Sequence, residues 1–227
     1  MTVLDQFSLK GKHAIVTGGE GLMGTMIRET IGELGGASQS VDIQKTADHC
    51  CNITDFHSVD LLSQQFDRID ILINNAVSNQ NPVHYFYTGW DKDIAVGLTG
   101  AMNMHIAFEK LLMASSGVVL NIGSDLSLIG PDQSLYEAGT MKPLSYSVVK
   151  HGMVGMTRYF ASLWGGKIRC NCLCPGGVDQ GQQVPHSPMM RLARLDEMKG
   201  PIAFLISEAS SFMTGAVISV DGGRTAI

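Results

Sequence analysis

The stretch Val16–Gly24, "VTGGEGLMG", decides how the rest of the chain is read. A loop that cradles a pyrophosphate uses glycine where the backbone turns tightly, where it approaches the phosphates, and where a helix packs closely on a strand. Gly18, Gly19, Gly21 and Gly24 are available for those tasks, and Leu22 stands where the commonest version of the loop has its middle glycine. Such a loop carries meaning only if it follows a strand and opens a helix. Here "HAIVTGG" reads as a strand running into glycine, and "LMGTMIRETIGELGG" as a helix with a double-glycine stop.

Outward from this unit the pattern repeats. "SQSVDI" is a weak second strand, and "DILINNA", "GVVLNIGS", "KIRCNCLCPGG" and "GAVISVDGG" are apolar strands. Helices are expected from near Trp90 through "FEKLLMAS", over "LSYSVVKHGMVGMTRYFASLWGG", and over "LDEMKGPIAFLISEASS", which Gly200-Pro201 should kink or divide. Continuous apolar strands alternating with helices predict a parallel sheet covered on both faces. The expected fold is α/β, a Rossmann-like doubly wound parallel sheet in three layers. No linker or repeat interrupts it, so residues 1–227 read as one domain.

Composition narrows the function classes. The 227 residues are 44% hydrophobic and 16% charged, the profile of a globular chain. A net charge of −5, without a Lys/Arg cluster, argues against nucleic acid. The opening "MTVLDQFSLKGKH" lacks the apolar run of a signal peptide, and no stretch approaches the ~20 apolar residues of a membrane span. A cytoplasmic protein with no membrane partner is expected. Five cysteines suggest no disulfide framework. Cys170, Cys172 and Cys174 alternate along a strand, ~6.6 Å apart on one face, which cannot converge on a tetrahedral zinc. They read as small apolar packing under a helix, and no metal site is expected.

Three residue groups carry chemistry. Asp42 ends the second strand, where a carboxylate accepts hydrogen bonds from an adenosine ribose and repels a 2′-phosphate. Neither Glu20 nor Gly21 supplies a positive charge for such a phosphate, so NAD is favoured over NADP. "SYSVVK" places Tyr146 and Lys150 at i and i+4, on one helix face. Ser124 ends the strand "VVLNIGS" on the carboxyl edge of the sheet, where ligands bind in this architecture. A free tyrosine, with a pKa of about 10, is a poor base at neutral pH. Lys150 and a positive nicotinamide ring are expected to lower it, so that Tyr146 exchanges the proton of a substrate alcohol. Ser124 would hold the substrate oxygen and Lys150 also the nicotinamide ribose.

With "TGGEGLMG", "NNA" (Asn74 to Ala76), Ser124, "YSVVK", "PGG" (Pro175 to Gly177) and "FMTGAVISVDGG" in this order, the chain resembles the short-chain dehydrogenase/reductases over nearly its whole length. Within that family "SDLSLIGPDQSLY", "KPLSYSVVKHG", "TRYFASLWG" and "PGGVDQGQ" resemble the flagellin or polysaccharide modification oxidoreductases, where a TGGxGLxG loop makes Leu22 a subgroup variant. The resemblance implies catalysis by Ser124, Tyr146 and Lys150. It implies a cofactor site of Gly18, Gly21, Leu22, Met23, Gly24, Asp42, Asn52, Ile53, Asn75, Ala76, Tyr146, Lys150, Pro175, Gly176 and Val178. It also implies a small-molecule substrate, expected to be a sugar derivative, and a homodimer or homotetramer built on the two long helices and the last strand.

Four departures accompany the resemblance. "VGLTG" puts Gly97 where the family usually has a catalytic Asn, and Asn103 is turned ~240° away along the helix. The interval from Asp42 to Asn52 is too short for the usual connecting helix, and Asn52 stands where an Asp is commoner. "QGQQVPHSPMMRLARL" is a short substrate lid in which Met189 and Met190 are expected to pack. The insert "LIGPDQSLYEAGTMKP" separates Ser124 from Tyr146 and carries Tyr136, a decoy followed by Thr140 at i+4 instead of a lysine. Asp125, Gln133, Gln182 and His186 would line the substrate pocket, His186 equally reading as a solvated loop residue. The leading expectation is an NAD-dependent oxidoreductase for a secondary alcohol or ketone; a non-catalytic dinucleotide-binding regulator or assembly subunit is the alternative.

Overall fold

The computed structural model describes residues 2–78, 81–184 and 186–227. Seven parallel strands form one sheet in the order β3-β2-β1-β4-β5-β6-β7. They are β1 His13–Thr17, β2 Ala37–Asp42, β3 His49–Cys50, β4 Ile71–Asn74, β5 Val118–Ile122, β6 Arg169–Pro175 and β7 Val217–Val220. The order reverses between β1 and β4, and the crevice at such a switch point is where a ligand binds in doubly wound sheets.

The central strands are buried on both faces. Ile15, Leu72 and Val119 point into a core with α5 (Ala101–Ser115) and α6 (Leu144–Leu163). Val16, Ile73 and Leu120 point the other way, onto α2 (Leu22–Glu33) and α7 (Lys199–Ile206). This is the three-layer α/β fold the apolar strand runs predict.

Details go beyond the sequence reading. β3 is a two-residue edge strand paired with Val41 and Asp42, too short to leave a pattern. Helix α3 (Phe56–Ser63), not expected from the sequence, has an ordinary start signal: Asp55 caps it, accepting from His57 N at 3.1 Å, with Val59 and Leu62 buried. Residues 43–48 contain no helical turn, as the short interval requires. The long helix does begin at Trp90 but is interrupted: α4 (Trp90–Ile94) passes into a π-helical segment, Ala95–Gly100, before α5. The helix with Gly200-Pro201 divides, at Met198, into a 3-10 turn and α7, so Pro201 falls in the first turn of α7, where its missing N–H costs nothing.

Candidate active site

The glycine loop joins β1 to α2 and is closed by contacts that only glycine permits. Gly18, at φ +62°, has Ala76 Cα 2.9 Å from where a Cβ would lie, and a Cβ on Gly24 would stand 2.1 Å from Gly18 O. Asn75 fastens the loop to the end of β4, its Nδ2 donating to Thr17 O and Gly18 O, both at 3.0 Å. Gly21 is the N-cap of α2 and has no side chain to satisfy the first N–H groups of the helix. Leu22, at the first helical position, is half exposed. A tight turn leading into an uncapped helix N-terminus is an anion cradle, so these residues fit a pyrophosphate and the leucine does not fill the cradle.

Asp42, at the end of β2, accepts from Glu20 N at 3.3 Å and Gln44 N at 3.2 Å, which holds its carboxylate beside the loop. One expectation needs correcting. A basic residue does lie close: Arg28 on α2 reaches Glu20 at 3.0 Å and Asp48 at 2.8 Å. Both ends of its guanidinium are thereby engaged by carboxylates. Asn52 is occupied with Thr54, and the buried Ile53 packs against Gly100 and accepts at its carbonyl from Asn103 Nδ2 at 2.9 Å. Asn103 thus faces Ile53, in keeping with its angular position on the helix. Gly176 lies against Asp221, and Val178 pairs with Ala193 under the lid.

Ser124, Tyr146 and Lys150 converge at the carboxyl ends of β5 and β6. Ser124 Oγ donates to Asp125 Oδ1 at 2.7 Å and accepts from Leu126 N at 3.1 Å, and it lies near the Tyr146 hydroxyl. Lys150 Nζ donates to Ile122 O at 2.7 Å and sits 5.6 Å from the centre of the Tyr146 ring. A second cation, Lys142, lies 4.1 Å over the same ring. Tyr146 as a whole is only partly covered, its hydroxyl being the deep end.

The electrostatics differ from expectation. Burial pushes Tyr146 up to about 12, only partly offset by the nearby Ser124 hydroxyl, and burial brings Lys150 down to about 8. The protein by itself therefore keeps the phenol protonated instead of lowering it. The physical reason is that the ammonium faces the Ile122 carbonyl while the hydroxyl is desolvated.

Gly97 lies in the π-helical segment, where a Cβ would stand 2.3 Å from Val149 Cγ1. The volume an asparagine would need is filled by Val149. Tyr136 is half-buried near Arg224, Asp125 and Asp132, and burial raises it too. Asp125 carries on its other oxygen a bond from Arg224 at 2.7 Å, with both side chains largely buried. Asp93 of α4 accepts from Ser145 and Ser78, tying α4 to the residue before Tyr146. Sequence reasoning missed Lys142, Arg224 and Asp93, which come from distant parts of the chain.

The cysteines pack as expected under α6, with Val154, and no group of three metal-ligating side chains occurs among the described residues. Cys172 and Cys174 are closer partners than simple packing implies, with sulfurs 3.8 Å apart. In the lid neither methionine packs as expected: Met189 touches Gly222 yet is 55% exposed, and Met190, at a left-handed φ of 49°, is 83% exposed.

A dinucleotide cradle at the switch point, with a serine, tyrosine and lysine at its open end, has counterparts among known proteins. The chain matches the family model described as enoyl-(acyl carrier protein) reductase over residues 23–225. It is 30% identical to a cis-4-hydroxycyclohexanecarboxylate dehydrogenase of Sinomonas cyclohexanicum, covering 94% of this chain and 96% of that one. This chain belongs to the short-chain dehydrogenase/reductase family. Within the family it is 29% identical to a D-threitol dehydrogenase of Mycolicibacterium smegmatis, over 96% of this chain and 95% of the relative. A gluconate 5-dehydrogenase from Burkholderia cenocepacia, solved with NADP and tartrate, superposes with a TM-score of 0.86 at 25% identity, all of both chains being covered. Membership makes the protein an oxidoreductase that binds a nicotinamide dinucleotide. Among the described residues no helix is long and apolar enough to cross a membrane.

Proposed function

We propose that this protein is an NAD(H)-dependent oxidoreductase that interconverts a secondary alcohol and a ketone on a sugar or sugar derivative, with Tyr146 as the acid/base. The observation that carries this reading is the meeting of Ser124, Tyr146 and Lys150 beside the glycine loop. Gly18, Gly21, Leu22, Met23 and Gly24 would cradle the pyrophosphate, Asp42 the adenosine ribose, Asn52 and Ile53 the adenine. Asn75, Ala76, Pro175, Gly176 and Val178 would line the nicotinamide half. The relatives named for threitol and gluconate support a polyhydroxylated substrate.

The bound dinucleotide supplies the hydride acceptor or donor. In reduction, Tyr146 gives its phenolic proton to the substrate oxygen, and its raised pKa keeps that proton available at neutral pH. In oxidation Tyr146 must first lose the proton, and Lys150, fixed by Ile122 O, is the protein charge placed to stabilise the phenolate. Ser124 orients the substrate oxygen. Its proton is engaged by Asp125, so a substrate oxygen meets Ser124 by drawing that proton away from the carboxylate. With Val149 in the place of an asparagine side chain, the far side of Lys150 lacks the family's usual relay.

We propose also that two or four copies assemble through α5, α6 and β7, which expose Met102, Ile106, Tyr159 and Leu163, with Phe212 fully exposed beside β7. The test of function is turnover of NAD+ and NADH with a panel of polyols, sugar acids and their ketones. Reduction or oxidation of at least one class is expected; none with either dinucleotide would overturn the reading.

A further inference from the structure

Arg224 is a cation of this site with donors to spare. It opens the last turn, Arg224–Ala226, and is only 12% exposed at its side chain. One nitrogen donates to Asp125 Oδ2 at 2.7 Å; among the described residues the rest of the guanidinium makes no hydrogen bond. The carboxylate, by contrast, is fully supplied, since Asp125 Oδ1 takes Ser124 Oγ at 2.7 Å and Leu126 N at 2.8 Å. A guanidinium offers five donors in a planar fork, and those of Arg224 that Asp125 does not take are open to solvent and so available to a ligand.

Lys142, Lys150 and Arg224 all approach the Ser124–Tyr146 region, and Asp125, together with Asp93 on Ser145, supplies buried carboxylates there. Asp132 and Tyr136 lie near enough to Arg224 to feel its charge, His186 acts likewise on Asp132, and Asp221 is committed to Gly223 N and Thr225 N. The lid leans on the same turn, with Pro188 against Gly223 and Met189 N donating to Gly222 O at 3.1 Å. Because Ser124 and Arg224 grip opposite oxygens of one carboxylate, the guanidinium lies within about 8 Å of the serine oxygen.

We propose that Arg224 is a substrate-binding residue: the open edge of its guanidinium takes a carboxylate of the substrate, so that the protein acts on compact hydroxy acids or sugar acids in preference to the matching neutral polyols. The inference rests on the oxidoreductase reading above. The short span from Arg224 to Ser124 places the carboxylate a few bonds from the alcohol carbon. Asp125 then has a positioning role, holding one edge of the fork so that the other faces the substrate.

Two matched pairs of probes test this: D-gluconate against D-glucitol, and cis-4-hydroxycyclohexanecarboxylate against cis-4-methylcyclohexanol. Calorimetry on the dinucleotide-loaded protein should show at least one acid binding tenfold or more tightly than its neutral partner. Arg224→Gln should erase that preference, weakening the acid by tenfold more than its neutral partner, and Arg224→Lys should restore part of it. Since Arg224→Gln strands a buried carboxylate, the double variant Asp125→Asn/Arg224→Gln repeats the test without a buried charge if the single variant fails to fold. Where turnover is seen, the loss should fall on KM more than on kcat. Neutral compounds binding as well as acids in both pairs, or an acid preference that survives removal of Arg224, would overturn the proposal. Calorimetry separates the two readings: an Arg224-dependent acid preference without turnover faults the oxidoreductase assignment alone, and turnover without acid preference faults this inference alone.

Discussion

Gly97 shows what a single residue decides. The family's asparagine cannot be restored there by substitution alone, because a Cβ would meet Val149 Cγ1 at 2.3 Å. Gly97→Asn should therefore cost about 1–3 kcal/mol by overpacking and should not raise turnover. Thermal or denaturant unfolding reads the cost, and pairing the change with Val149→Ala should recover much of it. A Gly97→Asn variant as stable as the parent would show that the helix yields at this point. A second residue, His105, is fully buried against Phe160 and Trp164, and desolvation lowers it to about 4. Its unfolded form binds a proton near 6.5 while the folded form resists, so stability is lost as pH falls from about 6.5 to 4 and no further below, by up to about 3 kcal/mol. His105→Phe should flatten that limb of a stability–pH profile; an unchanged limb would assign it to other groups. At this scale the sequence was informative where spacing speaks. Tyr146 and Lys150 share a helix face, and Ser124 ends a strand. Arg224 and Lys142 were not legible, since nothing local marks them as neighbours of Asp125 or Tyr146, and the direction of the Tyr146 shift depends on a desolvation that only packing creates.

Among the elements, strand–loop–helix units were readable because apolar runs and glycine stops are local signals. β3 is visible only through its pairing with β2, and the π-helical segment only through Gly97 and Gly100, which take Val149 and Ile53 against the backbone. The segment from β2 to β3 bears on cofactor choice. Asp42 sits beside the loop, and Arg28, which meets the same loop at Glu20, is held by Glu20 and Asp48. NAD(H) should then bind at least tenfold more tightly than NADP(H), about 1.4 kcal/mol. Titration calorimetry checks this, and Asp42→Ala should narrow the gap. Equal or reversed affinities would mean that Arg28 leaves its carboxylates for a 2′-phosphate.

For the molecule as a whole, the sheet order puts the switch point, the glycine loop and the ends of β4, β5 and β6 at one edge, so the proposed cofactor site and proton chemistry would share a single crevice. Helix α6 joins them, bringing Tyr146 to Ser124 and Lys150 to the end of β5. The central claim is that Tyr146 moves the proton there, and one comparison tests it: turnover and dinucleotide affinity of Tyr146→Phe beside the parent protein on a confirmed substrate. The phenyl ring keeps the packing and removes only the hydroxyl. Affinity for the dinucleotide should stay within a few-fold while turnover falls by about 10² to 10⁴, and Tyr136→Phe in the same assay should change turnover little. Near-parental turnover by Tyr146→Phe would contradict the account, leaving the proton to another group or the protein to a dinucleotide-sensing role.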